Sequence, residues 1–295
     1  MKKARVAASV VVAVILMNQR PVAGAQTAQS QTGSTACASD IQDPAECHAY
    51  MTALNSRDPW QKGPAMEAFA NQYPRSLVLI DALEQAVVAY ESIFNKAKTA
   101  ELLNRIFAPM PSNVRDLVVT VAMDRLELEE SKSPGEGCSD AQTGLQQLPD
   151  WPKPEGITDS SFVKIRKLMS DIFNGTAGLC AFKKKDYVSA RAFYEKAFQL
   201  DPTNMRDVWQ FAAADLEMNP IDVNGLWYCA KAINLAEEQN QKTGAVSANE
   251  MAGYCKAKYE KYHGSLDGWD GIVRAAAKEN APPSPHPVAK KYGSL

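Results

Sequence analysis

Nucleophiles, titratable groups and thiols are what a chain needs for chemistry, and this one spaces them so that few can act together. Its three histidines, His48, His263 and His286, stand far apart. None belongs to an H-E-x-x-H pair, which would bring two imidazoles to one helical face for zinc. The chain has no G-x-S-x-G elbow for a serine nucleophile, no G-x-x-x-x-G-K loop to cradle phosphate, and no dinucleotide fingerprint. His263 falls at the expected end of a helix, where an imidazolium suits the negative end of the dipole. Asn174-Gly175-Thr176 spells a glycosylation acceptor inside an expected helix, where the match reads as chance. The expectation is a protein that is not an enzyme, with no catalytic residue, no metal and no cofactor.

The thiols point to a structural role. The cysteines are Cys37, Cys47, Cys138, Cys180, Cys229 and Cys255, and no two have the C-x-x-C spacing of zinc, haem or redox sites. Residues 1–25 read as a secretory signal peptide. Lys2, Lys3 and Arg5 make a positive start, residues 6–17 an apolar run too short to span a bilayer, and Ala23-Gly24-Ala25 a small-x-small cleavage site. The mature chain then begins at Gln26, in the periplasm or outside the cell, and an uncleaved anchor is the alternative. An even cysteine count in an oxidising compartment predicts disulfides. Cys229 and Cys255 lie on consecutive helices expected to be antiparallel, and Cys37 and Cys47 flank the start of the first helix. That leaves Cys138 with Cys180. Free cysteines packed as small apolar residues are the alternative.

The elements that hold these residues are helical. Residues 171–204, DIFNGTAGLCAFKKKDYVSARAFYEKAFQLDPTN, have the pattern of one tetratricopeptide repeat, two antiparallel helices in 34 residues. Gly178 and Ala190 are small enough for close approach, Tyr194 fills space one turn beyond Ala190, and Ala197 completes the stripe. Lys183 to Tyr187 turns the chain, and Pro202 stops the second helix. A weaker match opens the array. Asp43 caps a helix from Pro44 to Asn55, residues 57–63 form a loop, and Pro64 starts a helix carrying Ala65 and Phe69. Further helices are expected at 77–92, 96–107, 114–130, 139–148, from Thr158 into the strong repeat, and at 205–218, 223–238, 249–262 and 266–278.

The fold class is therefore all-α, a tetratricopeptide-like solenoid of helical hairpins with about a dozen helices. After the signal comes a disordered linker over 26–43, then N-terminal helical repeats over 44–130 and an irregular connection over 131–157. C-terminal repeats follow over 158–280, and a flexible Pro-rich tail over 281–295. The connection is either a domain boundary or a loop within one superhelix. The blocks AYMTALNSRDPWQKGPAMEAFANQYP, KPEGITDSSFVKIRKLMSDIFNGTAG, NPIDVNGLWYCAKAINLA and KYHGSLDGWDGI resemble a family of exported bacterial tetratricopeptide proteins. The resemblance covers about residues 44–280 and implies a fold and an address, without an activity.

Such arrays bind other chains. Ile172, Leu179, Phe182 and Lys183 form one stripe of the first helix in the strong repeat, as a groove for an apolar or extended peptide or as packing against the next helix. Trp151, in the break WPKPEG, is the candidate exposed aromatic anchor, while Trp209 and Trp227 read as core. The formal charge of −2 becomes more negative once Lys2, Lys3, Arg5 and Arg20 leave with the signal, which argues against nucleic acid as a partner. No later segment is apolar enough to span a membrane. The function expected is an exported scaffold for a protein or peptide. The alternatives are a structural envelope protein or a non-catalytic subunit of an envelope enzyme.

Overall fold

The computed structural model describes residues 41–130, 137–239 and 248–288, and among them are twelve α-helices and no strand. The first five helices are α1 (Pro44–Leu54), α2 (Pro59–Gln72), α3 (Leu79–Ser92), α4 (Lys96–Ile106) and α5 (Ser112–Glu130). Then come α6 (Gly137–Gln147), with a 3-10 turn at Leu148–Asp150, and the longest helix, α7 (Asp159–Lys183). The chain continues through α8 (Tyr187–Leu200), α9 (Met205–Glu217), α10 (Asn224–Gln239), α11 (Ala248–His263) and α12 (Trp269–Ala276). Most helices pack on their neighbours along the chain, but α5 packs chiefly on α7 and α12 on α10, and α7 also reaches α3 and α9.

Local chemistry sets the starts. Asp43-Pro44 and Asp58-Pro59 open α1 and α2 alike. The aspartate accepts from the backbone N–H two residues on, and proline takes the first helical position, where no N–H is needed. Asp58 therefore starts α2 at Pro59, and the loop expected over 57–63 is mostly helix. Pro64 lies inside α2 on its exposed side. Gly63 beside it is buried under Tyr90, and a Cβ there would stand 2.9 Å from the Tyr90 Cζ. Thr158 caps α7 by accepting from the Ser161 N–H, as its position before the long helix predicts.

One turn occurs twice. Between α7 and α8, Lys185 takes a left-handed φ of 60°, Asp186 N–H donates to Ala181 C=O at 3.0 Å, and the Asp186 carboxylate caps α8 at Ser189. Between α3 and α4, Phe94 has φ 55°, Asn95 N–H donates to Tyr90 C=O at 2.9 Å, and the Asn95 side chain caps α4 at Lys98. The aligned residues continue. Thr99, Leu103 and Ile106 are buried where Ala190, Tyr194 and Ala197 are buried, and Pro111 stands as far beyond Asn95 as Pro202 stands beyond Asp186. The α3–α4 hairpin is thus the structural counterpart of α7–α8.

A first apolar cluster runs from Ile41 to Ala177 and a second from Met205 to Val288, with Ala181, Ala190, Tyr194, Phe211 and Ala214 packed between them. The described part of the expected irregular connection belongs to the first cluster. Ala141 and Leu148 are buried there, and Phe173 of α7 fills the space that a side chain at Gly144 would take. Cys138 bridges Cys180, tying α6 to α7, with alpha carbons 5.8 Å apart. Cys229 bridges Cys255, tying α10 to α11, at 6.0 Å. The third expected bridge, Cys37 with Cys47, reaches outside the described residues, as do the signal peptide and most of the linker.

The tail departs from expectation. Within the stretch read as flexible, Val288 is buried in the second cluster, while Pro283, Ser284, Pro285 and Pro287 are exposed. Val288 is a β-branched apolar residue in a stretch otherwise rich in proline and polar groups, and burying it gives the segment an anchor. Among the described residues no helix is long and apolar enough to cross a membrane.

Candidate binding site

The repeat residues come together as their sizes require. Ala190, Tyr194 and Ala197 are fully buried, and the Tyr194 ring lies over Gly178, where a Cβ would approach within 2.9 Å of Cε1. Asp201, which follows α8, is extended because Pro202 disfavours the helical state before it. The groove stripe does not form an open surface. Ile172 is buried in the first cluster, and Leu179 packs with Leu128, Cys138 and Cys180. Phe182 meets Tyr187 edge-on at 5.3 Å, while Lys183 is half-buried. Trp151 is half-buried with its ring centroid 6.1 Å from that of Phe173, and Trp60 is the exposed tryptophan at 69%. Trp227 is core, and Trp209 is half-buried against Tyr254. Asn174 and Thr176 are buried inside α7, which closes the glycosylation acceptor to modification in the folded chain.

What the stripe reading missed is a polar network where α3, α5, α7 and α9 converge. Arg125 of α5 is buried and ion-paired with the fully buried Asp207 of α9. Arg206 binds Glu91 of α3 through Nη1 at 3.2 Å and Glu129 of α5 through Nε at 3.3 Å. Asn204 shares its side-chain amide N–H groups between Asp207 Oδ2 at 2.9 Å and Asp171 Oδ2 at 3.3 Å. Gly175 makes room for this network, since a Cβ there would collide with the Arg125 guanidinium.

The network borders a small open cleft with a volume of about 50 Å3. Glu84 and Glu91 of α3, Arg125 of α5, Asp171 of α7 and the Asp201–Asn204 corner supply its polar lining. Carboxylates outnumber guanidiniums here. Burial, with Asp201 next, pushes the Glu84 carboxyl up to about 7, against the pull of Lys167. Burial and then Asp207 hold Asp171 well above the ordinary carboxylate range, although Arg125 opposes them. Glu91 is raised by burial, with Arg206 and Arg125 pulling the other way. Asp171 Oδ1 is buried and accepts no hydrogen bond. A buried acceptor left in that state is costly, so it marks a place where a donor is wanted.

A second polar cluster lies between α8, α9 and α10. Arg191 Nε is 3.0 Å from Asp215 and 3.4 Å from Asp222. Burial, then Asp222, pushes the fully buried Asp215 up to about 8 despite Arg191. Among the described residues no group of His, Cys, Asp and Glu has the arrangement of a metal site.

A sequence signal for the first network did exist. Asp171 and Asn174 lie in an otherwise apolar part of α7, Arg125 lies among Val118, Val121, Ala122 and Leu126, and Asp207 and Asp215 share a helical face with Phe211. Polar residues at core positions of a 3.6-residue period announce a buried network. They do not say which helices supply the partners. In comparisons with protein-family models, curated proteins and solved structures, nothing matches this chain.

Proposed function

We propose that this protein is an exported scaffold that binds a protein or peptide on the inner face of a tetratricopeptide-like helical array. The repeated hairpin turn, with its buried small residues and closing proline, supports the array. The charged and apolar leader supports export, and two disulfides suit an oxidising compartment. The observation that carries the binding reading is the cleft, a concave polar site with apolar walls set among α3, α5 and α7.

The test compares two forms of the full-length chain exported by the same cells, crosslinked before lysis. One is wild type, and the other is Val88→Trp, which fills the cleft from its half-buried rim. A partner captured by wild type and depleted with Val88→Trp supports the reading. Identical captures, or none from either form, overturn it.

A further inference from the structure

We infer that the cleft takes a lysine side chain of the bound partner, with its ammonium held between Asp171 and Glu84; this rests on the scaffold reading above. The lining has the amphipathic form of that side chain. Val87, Leu103, Leu168 and Ile172 offer apolar surface to a methylene stem, and the two carboxylates offer a negative end. Asp171 is 8% exposed, borders the cleft, and has Oδ1 without a hydrogen-bond donor. An ammonium has three donors and no acceptor, which suits a lone buried oxygen.

The choice of lysine over arginine follows from geometry. A guanidinium is best held by both oxygens of one carboxylate. Asp171 Oδ2 already accepts from Asn204 at 3.3 Å, so one oxygen is left for a ligand. The resident guanidinium groups cannot serve in its place, because Arg125 is committed to Asp207 and Arg206 to Glu91 and Glu129. Of the α7 lysines that face α3, Lys164 is engaged with Asp81, and Lys167 pulls on Glu84 from outside the cleft lining. An added cation also offsets the negative charge of Asp201, which works against ionisation of Asp171 and Glu84.

The probes are lysine, norleucine and arginine, each acetylated at the α-nitrogen and amidated at the carboxyl end. They are titrated into the full chain at neutral pH and followed by nuclear magnetic resonance. Norleucine keeps the stem and lacks the ammonium. The expected result is saturable lysine binding at least tenfold tighter than norleucine or arginine. Asp171→Asn and Glu84→Gln should each weaken lysine by about tenfold while melting at or above the wild-type temperature. Equal binding of lysine and norleucine, tighter binding of arginine, or an unaffected Asp171→Asn would overturn the assignment. The capture experiment separates the two claims. A partner held equally by wild type and Asp171→Asn removes the lysine and keeps the scaffold. Lysine binding with no captured partner keeps the cleft chemistry and removes the scaffold.

Discussion

At the scale of single residues, the buried ion pair of Arg125 and Asp207 fixes how α5 meets α9. Breaking such a pair from one side leaves a charge without compensation in the core. Arg125→Met should therefore cost about 3–5 kcal/mol of stability, measured by denaturant unfolding. Gly175→Ala should act through the same pair, because its methyl group takes the space of the guanidinium. Its penalty should shrink in the Arg125→Met background, a non-additivity that a double-mutant cycle detects. Asp215 gives a pH dependence. Its folded-state pKa of about 8 lies above the ordinary value of 3.8, so between these limits the folded chain holds a proton that the unfolded chain has released. The contribution is full below the lower limit and is lost as pH rises through 8. Asp222, Arg191, Glu195 and Tyr228 are the charged and titratable groups around it. Unfolding midpoints should fall from pH 5 to pH 8, and Asp215→Asn should flatten that slope.

At the scale of elements, the hairpins are held by small residues under large ones. Ala190 has no exposed surface at the α7–α8 contact. Ala190→Leu should overpack it and cost about 1–3 kcal/mol, whereas a neutral effect on the denaturation midpoint would mean that this contact is loose. The bridges act on the unfolded chain. Cys229 and Cys255 are 26 residues apart and close the segment between α10 and α11. Replacing both by serine should lower stability by about 3–4 kcal/mol in the chain-entropy model. Non-reducing peptide mapping should find the two peptides joined. The α7–α8 hairpin was legible because glycine, alanine, tyrosine and proline all stood at positions that suit two closely packed helices. Its counterpart α3–α4 was legible only as two helices. There Val87, Thr99 and Leu103 occupy the places of Gly178, Ala190 and Tyr194, a redistribution of volume that keeps the packing and erases the letters.

At the scale of the whole molecule, the long helix α7 is the organising piece. It packs on α3, α5, α6, α8 and α9 and contributes to the first apolar cluster and to the smaller one around Ala190 and Tyr194. Far-ultraviolet circular dichroism of the exported chain should show a spectrum dominated by helix. The first residue found by N-terminal sequencing should be Gln26 or close to it, and an intact Met1 form in membranes would defeat the export reading. By itself, the sequence determined the helical class and most helix ends, and it offered the α7–α8 hairpin and the pairing of Cys229 with Cys255 as expectations. All of these depend on residues close in the chain, or on helices that follow one another, where periodicity and capping act. Only the tertiary structure decided that Val288 is buried, and that Ile172 and Leu179 belong to the core. It alone brought Glu84, Arg125 and Asp171 to one cleft, with Asp207 buried as the partner of Arg125. Those four stand on four helices, and the distance between helices is set by the sum of side-chain volumes across every layer, which no local pattern records.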